Sequence, residues 1–525
     1  MRISYILTAA ILFLLFTGCY KDLGNYDYVA INSAEIKGIK DTVVVMNGDS
    51  AFISPEITFT KGGGENDYTY KWILVGNAGA SSNRVLSEKR NLAALIPVTL
   101  GTYDMFFQVR ETATGILWQK QFKLAVVGAI KPQGWFVMSE VNGATRLDYY
   151  QEDAASLGTY LQVYRDFSQR LVDPTDGTQL RFAGKPKFMS IWANTVTPAE
   201  ARAKTWLYVG TSEGIEKVNI TDGFIWKKTK YNFEMEAISK MCQRPDWVRG
   251  QNTGVGYAYQ DKKLFKNNAV GYQWFDVPIN QINGLVFDVS PVIATVYNQI
   301  FMQCLMFDVT KKRLLMHYGE NSNTVKALGA GNGSFKPDSL GMDVVWLGYT
   351  PVQGGLGLGV FDDGKGKRFL ARLTWKYING IAEPFAMDDI TSLTDITKAD
   401  FYAVDERYGY LFYSAGNKVY RYNTDTKELI VFREYPSNFK ISMMKARTNP
   451  QINAWIYVSV NPNPAVTRQL EPGLIGLQVG VYDPSMPDVS GKVDVLKITP
   501  DPTPATLYYT LSGLGKVVAA DYLYQ

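Results

Sequence analysis

The chain of 525 residues contains one histidine, His317, and therefore a single imidazole for acid–base or metal chemistry. Zinc proteases of the HExxH type and most His-rich zinc sites need at least two histidines, so the sequence excludes them. His317 stands in Leu314-Leu-Met-His-Tyr318, an apolar stretch that predicts a strand. A catalytic histidine needs a nucleophile or carboxylate partner, and the sequence assigns none. We expect a structural or pore-lining histidine, and we predict no catalytic residue, metal or cofactor.

Cys19 has the most specific chemical context in the chain. Arg2 precedes a nearly unbroken apolar segment, residues 3–16, and Thr17 and Gly18 then lead directly to Cys19. As a helix, this segment would span about 21 Å, less than the ~30 Å hydrocarbon core of a bilayer, which is typical of a secretory signal peptide. Small residues directly before a cysteine resemble a bacterial lipobox. That resemblance implies cleavage between Gly18 and Cys19 and a diacylglycerol group on the thiol; the alternative is an ordinary signal peptide.

The residues after Cys19 bear on location. Lys21-Asp22 resembles the surface-export signal of Bacteroidota lipoproteins. Two or more acyl chains anchor a protein stably, so we expect a lipid-anchored protein of the outer membrane. The cell surface is the expected side, and a periplasmic orientation stays open.

Cys242 and Cys304 are the other two cysteines. Export would permit a disulfide between them. Each lies beside an apolar residue, however, and two buried free thiols are the simpler interpretation. The sequence leaves both alternatives open.

Several glycine-rich and acidic segments could be mistaken for ligand loops. Gly354-Gly-Leu-Gly-Leu-Gly359 lacks the spacing and the following Lys-Thr of a phosphate loop, and it indicates a strand or loop where backbones approach closely. Segments 173–177, 219–223 and 362–367 lack the terminal Glu of a calcium loop and predict hairpin tips. The 50 Asp and Glu residues leave a catalytic carboxylate pair open, because distance defines such a pair.

Charge argues against nucleic acid as a partner. The formal net charge is +4, and the chain contains no dense run of Lys and Arg. The hydrophobic fraction of 46% is that of a globular protein, which excludes wholesale disorder.

Residues 29–128 alternate β-rich runs with turns, which is typical of an all-β sandwich. The runs begin at Thr42, Tyr68, Leu92, Tyr103 and Phe122. Trp72 falls where immunoglobulin-like domains bury a tryptophan, and Gly101-Thr-Tyr103 has the form of their tyrosine corner. We expect both aromatic residues to pack in the core; a ligand platform is the alternative.

Three segments resemble the PKD-like lipoprotein family of Bacteroidota: Cys19-Tyr-Lys-Asp-Leu-Gly-Asn-Tyr-Asp-Tyr28, Tyr70-Lys-Trp72 and Gly101-Thr-Tyr103. The resemblance covers about the first 130 residues. It implies a surface protein that accompanies a SusC/SusD-type outer-membrane uptake system, and it carries over no catalytic residue.

Residues 129–525 repeat an apolar-aromatic strand, a turn and an alternating strand, most clearly from Trp135, Trp206 and Tyr410. Repeated hairpins are typical of a β-propeller. We expect about seven blades, with six to eight open and two further sandwiches as the rival. Thr506–Tyr522 predicts strand-turn-strand that completes the first blade. Thr197-Pro-Ala-Glu200 predicts a short helix through Lys204.

The predicted organisation is a signal peptide (1–18), a lipidated linker (19–28), a PKD/immunoglobulin-like sandwich (29–128) and a propeller-like domain (129–525). The expected function is non-catalytic binding or docking of a glycan or peptide for a SusC/SusD-type transporter, with unknown ligand-binding residues. One alternative is a propeller-fold glycosidase or lyase that uses carboxylates. The other is a purely structural protein–protein module.

Overall fold

A computed structural model divides the chain into two units, Met1–Ala129 and Ile130–Gln525. It describes residues 31–523 except 47–48, 76–82, 97, 99–100, 128–132, 154–155, 174–177, 196–202, 221–223, 230, 238–239, 251–254, 269–272, 297–302, 320–321, 377–379 and 448–475. The predicted signal peptide, the linker and Cys19 lie outside the described residues.

The described strands of the first unit form a sandwich. They are β1 (Ala34–Lys37), β2 (Thr42–Met46), β3 (Ser50–Ile53), β4 (Glu56–Phe59), β5 (Tyr68–Leu74), β6 (Arg84–Ser87), β7 (Leu92–Leu95), β8 (Gly101–Glu111) and β9 (Leu117–Val127), with a 3-10 turn at Glu65–Asp67. One sheet has the order β2-β9-β8-β5-β6, and β1-β4 and β3-β7 form two further pairs. Strand β2 runs parallel to β9, whereas the other pairings are antiparallel.

Buried and exposed side chains alternate along the strands of this unit, and the buried ones form its core. In β8 every second side chain from Tyr103 to Val109 is buried, as a strand with one face on the core requires. The Trp72 ring is fully buried, lies 4.3 Å from the ring of Phe107, and donates its indole N–H to the Lys89 carbonyl at 3.0 Å. The core role predicted for Trp72 and Tyr103 is confirmed.

The described strands of the second unit follow at short intervals. They are β10 (Gly134–Val141), β11 (Ala144–Asp153), β12 (Ser156–Tyr164), β13 (Pro186–Thr195), β14 (Ala203–Thr211), β15 (Ile215–Asn219), β16 (Trp247–Gly250), β17 (Val255–Gln260), β18 (Lys263–Asn268), β19 (Gln273–Pro278), β20 (Gln281–Ile282), β21 (Leu285–Val286), β22 (Ala294–Thr295), β23 (Gln303–Asp308), β24 (Arg313–Tyr318), β25 (Val325–Ala327), β26 (Asp343–Thr350), β27 (Leu356–Asp362), β28 (Arg368–Lys376), β29 (Ile381–Asp389), β30 (Phe401–Val404), β31 (Leu411–Ala415), β32 (Lys418–Tyr422), β33 (Leu429–Glu434), β34 (Lys440–Arg447), β35 (Gly476–Tyr482), β36 (Gly491–Lys497), β37 (Thr506–Leu514) and β38 (Lys516–Leu523). A short α-helix, α1 (Phe233–Glu236), and 3-10 turns at Phe167–Arg170, Val352–Gly354 and Ile396–Lys398 complete the elements.

These strands form seven consecutive antiparallel sheets, numbered I to VII here. They are β12-β11-β10-β38 (I), β13-β14-β15 (II), β16-β17-β18-β19 (III), β22-β23-β24-β25 (IV), β26-β27-β28-β29 (V), β30-β31-β32-β33 (VI) and β34-β35-β36-β37 (VII), with β20-β21 as a separate hairpin. The predicted all-β class, a sandwich followed by about seven propeller-like sheets, is confirmed. Seven such sheets replace the alternative of two further sandwiches.

The last strand belongs to the first sheet. Strand β38 pairs with β10 from Gly134↔Leu523 to Glu140↔Lys516, while β37 stays in sheet VII. Strand β38 also contacts β34 of sheet VII and β13 of sheet II. The predicted strand-turn-strand of Thr506–Tyr522 is confirmed, but only its second strand, β38, joins the first sheet, because β37 pairs with β36 of sheet VII. The edge of β10 thereby gains a paired neighbour.

The predicted helix at 197–204 is wrong at its described residues, 203–204. Residues 196–202 lie outside the described residues, but Ala203 and Lys204 begin β14 and pair with Thr195 and Asn194. A single helical turn has a costly nucleus and gains little by itself. Extending the β13–β14 ladder gives the same backbone groups paired partners.

Most neighbouring sheets pack through a shared layer of apolar side chains. Between sheets II and III, a tryptophan ring packs directly against two glycines. The buried Trp192 of β13 lies against Gly250 and Gly256 of sheet III, where a Cβ would overlap or crowd its atoms. Glycine at these positions lets the indole approach the backbone closely.

Gly250→Ala is expected to lower the free energy of unfolding by about 1–3 kcal/mol, because a Cβ there would overlap the Cβ and Cγ of Trp192, which cannot swing away. Gly214→Ala is the control: its Cβ would enter open space, so the change should stay within about 0.5 kcal/mol. Urea unfolding of both variants measures the difference. Equal stabilities would contradict the close packing of Trp192.

Candidate functional site

His317 is held inside the second unit by two hydrogen bonds. It lies in β24 and is fully buried, with Nε2 2.8 Å from the Ser322 carbonyl and Nδ1 2.9 Å from the Tyr257 hydroxyl. Because a carbonyl only accepts, Nε2 carries the proton and Nδ1 accepts from Tyr257. Burial lowers the pKa of His317 to about 4, so the ring is neutral at pH 7. The structural role expected from the sequence fits this geometry.

The pH dependence of stability should report this histidine. With a folded pKa of about 4 against an ordinary 6.5, the unfolded chain binds a proton that the fold excludes. Stability is therefore full above pH 6.5 and falls by up to ~3 kcal/mol as the pH drops to 4. Urea unfolding at several pH values should show this loss in the wild type and a smaller loss in His317→Gln. Parallel profiles for the two proteins would contradict the assignment.

The two internal cysteines are separate, buried free thiols. Cys304 lies in β23, and Cys242 lies in the connection between sheets II and III. Burial raises the pKa of both thiols, which keeps them protonated and unreactive at neutral pH. Of the two alternatives left by the sequence, the structure has the free thiols.

The glycine-rich segment packs as a strand. Gly355 has a φ of +112°, and a Cβ there would overlap the Trp375 carbonyl oxygen. In β27 a Cβ on Gly357 would lie 3.2 Å from the Trp375 ring. The close backbone approach expected at 354–359 is confirmed.

The acidic segment 362–367 is a hairpin tip between β27 and β28. The Asp362 carboxylate accepts the Gly364 N–H, and the Asp363 carboxylate accepts the Lys365 and Lys367 N–H groups, at 2.6–2.9 Å. Segments 173–177 and 219–223 lie partly outside the described residues. In the described part of the chain, no group of three or more His, Cys, Asp or Glu could hold a metal ion. None of its helices is long and apolar enough to cross a membrane.

A buried ionic cluster lies between sheets II and III. Glu236, the last residue of α1, accepts the Lys217 ammonium at 2.6 Å and the Tyr208 hydroxyl at 2.9 Å on Oε2. Its Oε1 accepts the Asn267 amide N–H at 2.6 Å. All four residues are buried. We call Tyr208, Lys217, Glu236 and Asn267 the Glu236 cluster.

Strand register brings the cluster together. Tyr208 of β14 and Lys217 of β15 are direct cross-strand partners, and Asn267 comes from β18 of sheet III. The Lys217 ammonium lies 4.5 Å from the centroid of the Trp206 ring, an added cation–π contact. The cluster therefore ties α1 and sheets II and III to one another.

Three buried polar atoms at the Glu236 cluster lack a hydrogen-bond partner. They are the indole nitrogens of Trp192 and Trp206 and the amide oxygen of Asn267. Trp192 stacks on Tyr208 with ring centroids 5.4 Å apart. Each unpartnered buried polar atom lowers the free energy of unfolding by about 1–3 kcal/mol. The packing of sheets II and III therefore depends on the hydrogen bonds that the Glu236 cluster makes.

A carboxylate, an amine and a phenol are groups that acid–base catalysis uses. In the Glu236 cluster, however, the carboxylate accepts hydrogen bonds from three donors. The Lys217 ammonium is one of these donors and forms an ion pair with Glu236. The cluster was not predicted from the sequence, since its successive members are 9, 19 and 31 residues apart. One sequence signal points to a buried charge. Lys217 stands two residues after Ile215 in a strand, so the two side chains share one buried face.

The family match covers only the N-terminal third of the chain. The model of the PKD-like family matches residues 19–179, from Cys19 through the sandwich and β10–β12. The match includes most of the first 130 residues, in which the sequence resembles this family, and extends beyond them to residue 179. No curated protein matches the chain.

Several solved structures match the chain at low identity and low structural similarity. A quinoprotein alcohol dehydrogenase-like protein of Bacteroides thetaiotaomicron has 13% identity and a TM-score of 0.40, over 92% of this chain and 94% of that one. The extracellular domain of a one-component system of the same organism has 11% identity and a TM-score of 0.37, over 92% and 70%. PorZ, a surface component of the type-IX secretion system of Porphyromonas gingivalis, has 10% identity and a TM-score of 0.36, over 86% and 68%. At this similarity, function has to be argued from the chain's own residues.

Proposed function

We propose that the protein is a lipid-anchored accessory protein of the outer-membrane surface that binds a glycan or peptide for a SusC/SusD-type uptake system. The observation that carries the proposal is the starting point of the PKD-like match. It begins at Cys19, the residue that the lipobox-like Thr17-Gly18-Cys19 marks for acylation. Two independent features, a targeting motif and a family match, thus agree on the same first residue of the mature chain.

Binding rather than catalysis is supported by how the reactive groups are used. Glu236 and His317 are both engaged by hydrogen bonds within the fold. A propeller-like unit on a tethered sandwich would hold its ligand near a transporter and raise the effective concentration there.

Acylation gives the direct test of the anchor. In cells fed labelled palmitate, the wild type is expected to incorporate label and Cys19→Ala to incorporate none, because the acceptor thiol is gone. Cys242→Ala is the matched control, since it removes a buried free thiol and should leave labelling unchanged. Labelled Cys19→Ala protein would overturn the lipid anchor.

The partner and the activity need separate experiments. A SusC/SusD-type pair is expected to co-purify with the acylated protein from solubilised outer membranes. Polysaccharides incubated with the protein are expected to be bound and recovered intact. Released products, lost on substitution of one Asp or Glu, would favour the glycosidase or lyase alternative. Co-purification without glycan or peptide affinity would favour a purely structural module.

A further inference from the structure

Two cations meet over one buried carboxylate where sheets VI and VII pack together. Arg433 Nη2, at the end of β33, and Lys492 Nζ, in β36, each lie 3.8 Å from Asp494 Oδ2. Asp494 is fully buried, whereas the Arg433 and Lys492 side chains are 32% and 30% exposed. The arrangement holds two like charges close together, with one net positive charge at the surface.

The hydrogen-bonding capacity of these groups is not used up by the fold. At 3.8 Å the two cations attract Asp494 without a hydrogen bond to it. Asp494 Oδ1 accepts from Thr510 at 2.7 Å, while Oδ2 has no partner. Arg433 Nε also lacks one, whereas the buried Tyr435 hydroxyl interacts with both Asp494 and Arg433. Unpartnered polar atoms of this kind are rare in folded proteins. Because neither cation is hydrogen-bonded to Asp494, the N–H groups of the partly exposed Arg433 and Lys492 side chains give the pair donor capacity at the surface.

Aromatic rings lie next to the same two cations. The Arg433 guanidinium is 5.4 Å from the centroid of the Tyr435 ring. The Lys492 ammonium is 5.6 Å from the ring of Phe439, which is partly exposed. An apolar ring face beside paired cationic donors suits a sugar ring that carries an acidic group, because the ring can pack against the C–H face of the sugar.

We propose that Arg433 and Lys492 form a clamp for the carboxylate or sulfate group of an acidic glycan, with Phe439 packing against the sugar ring. Asp494 is a positioning residue that keeps the two cations together. The bound oxyanion receives charge-assisted hydrogen bonds from both side chains. This inference rests on the proposed binding function and narrows its ligand to an acidic glycan.

Titration calorimetry with the full-length protein tests the clamp. The probes are polygalacturonate for a carboxylate, dextran sulfate for a sulfate, neutral dextran and polyglutamate. The wild type is expected to bind polygalacturonate or dextran sulfate, with affinity that falls as salt rises, and to bind neutral dextran and polyglutamate at least tenfold more weakly. Which acidic polymer binds identifies the oxyanion.

Three variants locate the binding. Arg433→Gln and Lys492→Gln are each expected to weaken binding of the acidic polymer at least tenfold, and Phe439→Ala severalfold. Arg407→Gln is the matched control, because Arg407 is also an exposed arginine over a tyrosine ring, at 5.4 Å from Tyr408. It should bind as the wild type does. Thermal unfolding of each variant checks that the fold is kept.

The outcomes separate the clamp from the general function. Unchanged binding in Arg433→Gln and Lys492→Gln, or no binding of either acidic polymer, overturns the clamp. Preference for polyglutamate overturns the glycan and points to an acidic peptide. Neutral dextran bound as well as the acidic polymers also overturns the clamp, yet it leaves the proposed glycan-binding function standing. If the protein is not acylated, or if no transporter co-purifies with it, the proposed function is wrong, whereas the clamp is still supported by the calorimetry.

Discussion

Glu236→Ala is expected to lower the free energy of unfolding of the second unit by about 3–5 kcal/mol. The substitution would leave Lys217 charged, buried and without its counterion, and Tyr208 and Asn267 would lose their acceptor. Urea unfolding at pH 7, followed by tryptophan fluorescence, measures the loss. Glu234→Ala is the control: it removes an exposed carboxylate of the same helix, whose pairing with Arg244 at 4.0 Å is worth little.

A double substitution separates the charge from the packing. Replacing both members of the pair, in Lys217→Met with Glu236→Leu, is expected to cost less than Glu236→Ala alone, because no buried charge is stranded. A double variant less stable than the single one would show that the ion pair itself stabilises the layer. A loss below about 1 kcal/mol in Glu236→Ala would contradict the buried pairing altogether.

Periodicity in the sequence predicts many of the strands. The repeats beginning at Trp135, Trp206 and Tyr410 correspond to the hairpins β10–β11, β14–β15 and β31–β32. Alternation of apolar and polar residues is a local property, so it can be read without knowing which strands are neighbours. The same holds for the turn residues that separate the strands, such as the acidic tip at 362–367.

The contacts between sheets could not be predicted in this way. Lys217 and Asn267 belong to different sheets, as do Arg433 and Asp494, and a strand pattern does not say which faces meet. The predicted helix at 197–204 failed for a related reason, since a local capping signal competed with strand pairing to β13. Whether Cys242 and Cys304 form a disulfide likewise depends on the distance between them in the fold. Each of these outcomes depends on tertiary placement rather than on local preference.

Removal of the last strand, β38, should strongly destabilise the second unit. A variant ending at Gly515 lacks β38 and is expected to lose the cooperative unfolding transition of this unit. Val517, Tyr522 and Leu523 are buried, and at roughly 1.5–3 kcal/mol each they contribute about 5–9 kcal/mol. That is comparable with the whole stability of an ordinary domain, about 5–15 kcal/mol.

Removal of β38 also unpairs an entire edge. Strand β10 would lose its partner along Gly134↔Leu523 to Glu140↔Lys516, and Trp135 and Val137 would lose part of their apolar layer. Far-UV circular dichroism during urea unfolding should show the transition of the second unit lost, while that of the sandwich, a separate unit with its own core, remains. A truncated protein whose second-unit midpoint matches the full chain would contradict the structural role of β38.

A peptide added in trans gives the decisive arm of this experiment. A synthetic peptide with the sequence of residues 516–523 can add to the free edge of β10 by main-chain pairing, and its alternate side chains match the vacated apolar layer. It is expected to restore the lost transition, whereas a scrambled peptide of the same composition is not. Restoration by both peptides would point to non-specific association, because only the native order returns Val517, Ala520 and Tyr522 to the same face.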